Sequence, residues 1–398
     1  MKSLRDAGLL ATVAEQVPAG SPSSALWTFP AMIGSAFVVA WGAEAAEFLM
    51  SQGLALAMLA LIQTMPEFAV EAVIAWKAGK NPAMVHLAIA NFTGSLRLLT
   101  GFGWPMIYGV AAFSSRQKRG RALGRIVLAD DHAIEVIGLL PPLAYFVVVW
   151  AKASLSLVDA VFLIGTYVVY LVVLLKLPPR AETEEQDDEV PAVSRWALSF
   201  TRAGRWAAVG GLFLAGGAII YFVAEPFLAS MMAIAASAGI SQFVFIQWVA
   251  PFVSEFPEKT SAFAWARRIT RAPVALLNMV SSNINQWGVL SGLLAVIYCV
   301  SHGDTSALPF DEFQRLEILL TILQAFLGWL FLASMSFEAY EAAGLFVLWL
   351  VQFAVPSLRH DMLWVYAAWI AVEIALLLAG RKRIRAFHAF ARSWRERG

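Results

Sequence analysis

The chain has 398 residues, 60% of them hydrophobic and only 14% charged, with a formal net charge of +1. Ordinary soluble domains carry about 25% charged residues, so this composition excludes a soluble globular surface, and the balanced charge gives no sign of a nucleic-acid partner. The single cysteine, Cys299, excludes an intramolecular disulfide, and the five scattered histidines show no metal-ligand spacing.

In chain order, residues 1–26 form a polar lead-in without the apolar core and cleavage site of a signal peptide. Apolar windows bounded by turn and charge signals then predict eleven spans, near 27–46, 54–76, 83–112, 132–151, 156–176, 206–232, 240–264, 274–300, 315–336, 338–355 and 362–380. The third carries Gly94, Gly101, Gly103 and Pro105 and is expected to kink. The sixth is expected to be interrupted at Glu225-Pro226. Between the fifth and sixth lies "LPPRAETEEQDDEVPAVSRW", whose run of Glu182, Glu184, Glu185, Asp187, Asp188 and Glu189 is too polar to pack a core. It reads as a solvated linker, with recruitment of cations as the alternative.

Positive charge orients the spans. The segments "SSRQKRGRALGR" (114–125), "WARRITR" (265–271) and the tail "RKRIRAFHAFARSWRERG" (381–398) are rich in Arg and Lys and are expected in the cytoplasm. The loop "SHGDTSALPFDEF" (301–313) has neither and is expected outside. The start of the chain then falls outside and its end in the cytoplasm, with Lys77 and Lys80 as outer-side misfits. Five spans before the linker and five after it enter the membrane from opposite sides, the ground plan of an inverted repeat.

The expected fold class is therefore an all-α polytopic membrane protein, with two inverted repeats of about five transmembrane helices and one extra C-terminal helix. The expected organisation is a lead-in (1–26), a first repeat (27–176), an acidic cytoplasmic linker (177–205), a second repeat (206–355), and the extra helix with its basic tail (356–398). The location expected is the plasma (inner) membrane.

Both halves carry a matching polar segment. "LIQTMPEFAVEAV" (61–73) holds Thr64-Met65-Pro66-Glu67, and "FVSEFPEKTSAF" (252–263) holds Glu255-Phe256-Pro257-Glu258. A Ser-Gln pair precedes each: Gln52 lies fourteen residues before Pro66, and Gln242 fifteen before Pro257. Downstream, "AIANFTGSLRLL" places Asn91 24 residues after Glu67, and "LLNMVSSNINQW" places Asn278 20 after Glu258. Each Asn is followed four residues later by a serine, Ser95 or Ser282. A proline inside a span frees a carbonyl, tolerated only where protein or a polar cavity satisfies it. Carboxylate, amide, hydroxyl and carbonyl are hard oxygen donors, suited to calcium, sodium or magnesium rather than zinc or copper.

Pro-Glu followed by Asn-x-x-(Gly/Ser)-Ser, given twice in inverted halves around an acidic loop, resembles the cation/calcium exchanger superfamily. The likeness covers about residues 27–355 and includes "GISQFVFIQ" (239–247). It implies Glu67 and Glu258 as paired ligands of a divalent cation at mid-membrane. Asn91 and Asn278 would add amide oxygens, and Thr64 and Ser254 hydroxyls. It further implies alternating access, with gating spans sliding across a two-repeat core.

The chain departs from the family pattern at several positions. Glu255 stands where a small hydroxyl residue is usual, Gln63 replaces a Thr, and Glu71 a Ser. Leu96-Arg97 replace an Asn-hydrophobic pair that Asn283-Ile284 keep, and Leu87 and Val274 stand where hydroxyls are frequent. Those losses favour protons over sodium as counter-ion. Glu67 and Glu71 are i,i+4, and Glu255 and Glu258 i,i+3, so up to four carboxylates face one cavity. Buried together they must be protonated, ion-bound or matched by base. Glu71, Glu255, Ser95, Ser282 and Asn283 are accordingly candidate additional ion or proton sites. Glu255 with Lys259 reads either as an inert ion pair or as part of the site, and Arg97 is placed to reach a first-repeat carboxylate.

Glu44, Glu47 and Glu225 read as an approach path or as helix-end acids, and Asp159 and Glu341, which open the last span of each repeat, as interfacial. The fifteen Trp are expected mainly in interfacial belts, and the basic tail against anionic headgroups. The function expected is a secondary antiporter moving calcium or a similar cation against protons or sodium. It would need no cofactor beyond the transported cation, and its partners would be the bilayer and small cations. The alternatives are a relative that has lost transport and serves a structural or sensing role, and an intramembrane enzyme. For the enzyme, no nucleophile–base pair or metal cluster is visible in the sequence.

Overall fold

The computed structural model describes residues 20–49, 61–62, 64–121, 123–176 and 191–395. Most of the polar lead-in, Ser51-Gln52, Gln63, the side chain of Glu47 and the acidic run 182–189 lie outside the described residues. The first half comprises α1 (Ala25–Glu47), α2 (Met65–Lys80), α3 (Val85–Leu98) running on into α4 (Trp104–Arg119), α5 (Ala133–Gly138) followed by α6 (Leu140–Lys152), and α7 (Leu157–Lys176). After the short α8 (Ala192–Leu198) the order recurs. It runs through α9 (Arg202–Ser237), α10 (Gln242–Ser254) and α11 (Phe256–Ala266), α12 (Ala272–Asn285) running on into α13 (Ser291–His302), α14 (Glu312–Leu332) and α15 (Ala339–Ala354). An additional helix α16 (Arg359–Leu378) and a tail helix α17 (Ala386–Arg395) close the chain. The protein is a helical membrane protein of two inverted repeats with one extra helix.

Seven of the described helical stretches are long and apolar enough to cross a bilayer, against eleven spans expected. The difference has local causes. The seventh span is split at Glu255, the tenth is 16 residues long, and polar side chains such as His86, Asn91 and Arg97 dilute the third, while most of the second before Met65 lies outside the described residues.

The two halves interlock crosswise. A π-helical turn interrupts the third span of each half, Leu99–Gly103 and Gln286–Leu290, and each starts eight residues after Asn91 or Asn278. The kink expected in the third span is this turn. Gly101 in the first turn leans on α15, where a Cβ would lie 2.4 Å from that of Trp349; Gly288 in the second leans on α7, 3.1 Å from the Cβ of Tyr167. Each π turn thus packs on the last helix of the opposite half.

The loops cross in the same way, through two short antiparallel ribbons that leave the fold all-α. Strand β1 (Arg125–Val127) pairs antiparallel with β4 (Ser336–Glu338), and β2 (Ser154–Leu155) with β3 (Leu308–Pro309).

Helices α1 and α9, the first of each half, pack along their length. Thr28 Oγ1 and Ser230 Oγ are 2.9 Å apart, and Gly216 lies so close to α1 that a Cβ would meet Val39 Cγ2 at 2.6 Å. Small residues permit that approach without a hydrophobic drive between helices. The interruption expected at Glu225-Pro226 is absent, and α9 runs unbroken through Pro226, as membrane helices can when neighbours support the freed carbonyl. Glu225 instead pairs with Lys77 of α2 at 2.8 Å, with 66% and 34% of the two side chains exposed. A pair this exposed contributes little. Lys77→Ala is therefore expected to change unfolding free energy by less than about 1 kcal/mol, read as a small shift in detergent melting.

A tighter crossing lies between α3 and α10, where a Cβ on Gly94 would sit 1.8 Å from the carbonyl oxygen of Gln247. Gly94→Ala is expected to force the two repeats apart at a cost of about 3 kcal/mol or more, seen as poor yield and a lowered melting temperature. Tryptophan departs from the belt expectation as well. Trp104 and Trp287 are fully buried and Trp248 and Trp349 nearly so, filling the spaces between helices, whereas Trp76, Trp196 and Trp364 are exposed.

Candidate functional site

The two Pro-Glu segments are helix starts inside the fold. Thr64 (φ −86°, ψ 0°) and Glu255 (φ −94°, ψ 7°) adopt similar conformations at matched positions, each immediately before the helix that follows and without a side-chain cap. Pro66 and Pro257 then fall in the first turn of α2 and α11, where a missing N–H costs nothing. Glu67 and Glu258 come next, in the first turn, where the free N–H groups and the positive end of the helix dipole favour a carboxylate.

All eleven candidate residues are buried, Asn278 being the most open at 8% exposure. Asn91 Nδ2 donates to Glu67 Oε1 and Glu71 Oε2, both at 2.6 Å. Ser254 Oγ donates to the other oxygen of Glu67. Ser282 Oγ donates to Glu258 Oε1 at 2.6 Å. Glu255 accepts from Ser95 Oγ through Oε1, and Lys259 Nζ lies 2.5 Å from its Oε2. Two of these contacts, Ser254 to Glu67 and Ser95 to Glu255, join one repeat to the other. Asn278 sits one helical turn before Ser282 on α12. Asn283 is buried without a hydrogen-bond partner on either amide atom.

Two contributors were not singled out in the sequence. Asn285 Nδ2 donates to Thr64 Oγ1 at 2.5 Å, and Gln286 Nε2 to Glu255 Oε1 at 2.8 Å. Their signal was present: "SSNINQW" puts three amides into an apolar span.

The arrangement is rich in acceptors. Glu71 Oε1, Asn91 Oδ1, Glu258 Oε2, Asn283 Oδ1, Asn285 Oδ1 and Gln286 Oε1 are all buried oxygens with no hydrogen-bond donor. Buried acceptors are ordinarily satisfied, so a concentration of oxygens around two carboxylate pairs fits a hard cation as cargo. No three His, Cys, Asp or Glu side chains converge as a ready-made metal site among the described residues. The carboxylates are instead engaged by hydroxyl, amide and ammonium groups.

Arg97 corrects an expectation. It turns away from the first-repeat carboxylates and pairs with Glu317 of α14, while Nη1 donates to Gln352 Oε1 at 2.8 Å. Arg359 of α16 approaches the same glutamate at 2.9 Å and donates to Gln247 Oε1 at 2.9 Å. Gln247 Nε2 in turn donates to Glu317 Oε2 at 2.6 Å. This second polar cluster ties the extra helix to both repeats, with Gln324 Nε2 donating to the Arg97 carbonyl at 2.9 Å.

Asp159 and Glu341, expected at the interface, are buried helix-start acids. Asp159 accepts from the Ser156 N–H at 2.6 Å, and Glu341 from the Glu338 N–H at 2.9 Å.

A family model described as "Sodium/calcium exchanger protein" matches residues 23–176 and 209–357. Among solved structures, the chain is similar to that of the H+/Ca2+ exchanger CAX, with 30% identity and a TM-score of 0.85 over 98% of this chain and 94% of that one. It is also similar in fold to the sodium-calcium exchanger NCX_Mj soaked with 100 mM Na+ and 10 mM Sr2+, at 18% identity and a TM-score of 0.55 over 84% and 97% of the two chains. The crystals of NCX_Mj soaked with 2.5 mM Na+ and 0.1 mM Ca2+ give 16% identity and 0.53 over 83% and 96%. No curated protein matches the sequence.

Proposed function

The chain belongs to the sodium/calcium exchanger protein family, and on that premise we propose that it exchanges calcium or a similar divalent cation for protons across the plasma (inner) membrane. Membership makes it a secondary cation antiporter of the bilayer rather than an enzyme. The observation that carries the finer reading is the set of buried oxygens without donors around Glu67, Glu71, Glu255 and Glu258. Glu67 and Glu258 are the principal ligands, with Asn91, Asn278, Thr64 and Ser254 supporting. Glu71, Ser95, Ser282 and Asn283 complete the cavity.

Protons suit the chemistry as counter-ion: buried carboxylates that hold a divalent ion are neutralised by protons when it leaves. The similarity to a protein described as an H+/Ca2+ exchanger supports the same choice. The paired helices α1 and α9, joined through Gly216 and Thr28, are the moving element against the interlocked remainder. The repeats are residues 27–176 and 206–355, linked by a cytoplasmic segment at 177–205, with the N-terminus outside and the basic C-terminus in the cytoplasm. The two ribbons support the alternation of spans, since each joins loops that span counting assigns to one side; the orientation itself rests on the Arg and Lys bias of the loops.

The test is calcium uptake by proteoliposomes under an imposed pH gradient, then under a sodium gradient. Uptake driven by the pH gradient is expected. A wild-type protein that moves no cation under either gradient removes this reading.

A further inference from the structure

Lys259 is a costly residue where it stands. Its side chain is 5% exposed, in the first turn of a helix whose dipole opposes a cation. A methionine would fill similar volume without desolvating a charge. In the matched register the first repeat carries Thr64 where the second has Glu255, and Phe68 where it has Lys259. A neutral hydroxyl–apolar pair in one half therefore corresponds to a carboxylate–ammonium pair in the other.

The second-half pair is bonded into the candidate site cluster. Ser95 of the first repeat and Gln286 both donate to Glu255 Oε1, and Lys259 Nζ lies 2.5 Å from Oε2. Both carboxylate oxygens are thus taken. Among the described residues, Lys259 is the one cation in ion-pair contact with any of the four site carboxylates, and its partner is Glu255.

We propose that the Lys259 ammonium is a tethered cation, holding on Glu255 the place that a free monovalent cation such as sodium would otherwise occupy. This rests on the exchanger reading above and adds to it a reason for sodium independence. An ammonium on a four-carbon stem supplies one positive charge and three donors at fixed local concentration. A dissolved sodium ion cannot displace it from a carboxylate whose other oxygen is already filled. The divalent cargo and its protons then exchange on Glu67, Glu71 and Glu258 alone.

The experiment uses the purified full chain in detergent, with melting followed in sodium chloride and in choline chloride at equal ionic strength. The wild type is expected to melt at the same temperature in both. Lys259→Met exposes the Glu255 carboxylate to ions, so sodium is expected to raise its melting temperature by about 3 °C or more over choline. Glu255→Gln with Lys259→Met should lose that rise. A purely structural ion pair predicts lowered stability in Lys259→Met with no sodium-specific recovery, and that result overturns the proposal. So does a sodium-specific rise in the wild type, which needs no variant to fold. In proteoliposomes, pH-driven calcium uptake by the wild type should be unchanged when choline replaces sodium, and a sodium requirement likewise overturns it. A wild type that moves no cation instead removes the exchanger reading, while the melting comparison still decides the role of Lys259.

Discussion

Glutamine in place of Glu67 or Glu258 is expected to cut pH-driven calcium uptake at least about a hundredfold while leaving the protein folded. Loss of even an outer partner of a metal ligand costs about 10–100-fold in affinity, and a carboxylate in direct contact supplies half the charge that balances a divalent ion. Folding should survive because the amide keeps the acceptor oxygen. Asn91 Nδ2 and Ser254 Oγ donate to Glu67, and Ser282 Oγ donates to Glu258. At Glu67 both oxygens are engaged, so one amide–hydrogen contact must rearrange. At Glu258 the free Oε2 leaves room for an NH2. Uptake within about threefold of wild type in both variants, at equal reconstitution, would remove the two glutamates from the ligand set.

The largest stability effect is expected at Glu317. Its carboxylate lies between Arg97 and Arg359, wholly buried, with Gln247 donating to it. Glu317→Leu strands two guanidinium groups away from water, and breaking a buried pair from one side costs about 3–5 kcal/mol. The variant should show a sharp fall in detergent melting temperature and in yield. Removing all three charges as Arg97→Leu, Glu317→Leu and Arg359→Leu should be less damaging than Glu317→Leu alone, since no unpaired charge remains. A single variant as stable as the wild type would mean that the pair carries no such weight. The remaining polar partners, Gln352, Gln324 and Tyr366, are linked by the 2.7 Å and 2.9 Å bonds of the Tyr366 hydroxyl. They mark this cluster as the anchor of the extra helix to the repeats.

Much of the molecule was legible in the chain. Hydropathy predicted the helical membrane fold, and the recurrence of Pro-Glu and of Asn with a following Ser singled out residues that the fold brings into hydrogen-bonding contact. Those signals are local in sequence: a proline costs least in the first turn of a helix, where its missing N–H is not needed, and a glutamate after it then lies at the positive end of the helix dipole. The matched backbone conformations of Thr64 and Glu255 are the result.

What the sequence could not decide is which side chain answers which. Arg97 is two residues from Ser95, yet one donor reaches Glu317 and the other Glu255, because successive helical positions point about 100° apart and face different neighbours. Asn285 reaching Thr64 across the repeats and Gln286 reaching Glu255 within the second depend on where α12 gives way to the π turn. Continuity of α9 through Pro226 likewise depends on its packing along α1 rather than on the proline itself. Composition, periodicity and repetition therefore determined the membrane fold and singled out the carboxylates of the proposed site. Their partners, the crossed ribbons and the second charge cluster were decided only by tertiary contact, because the energy of a buried polar group depends on which neighbour replaces water.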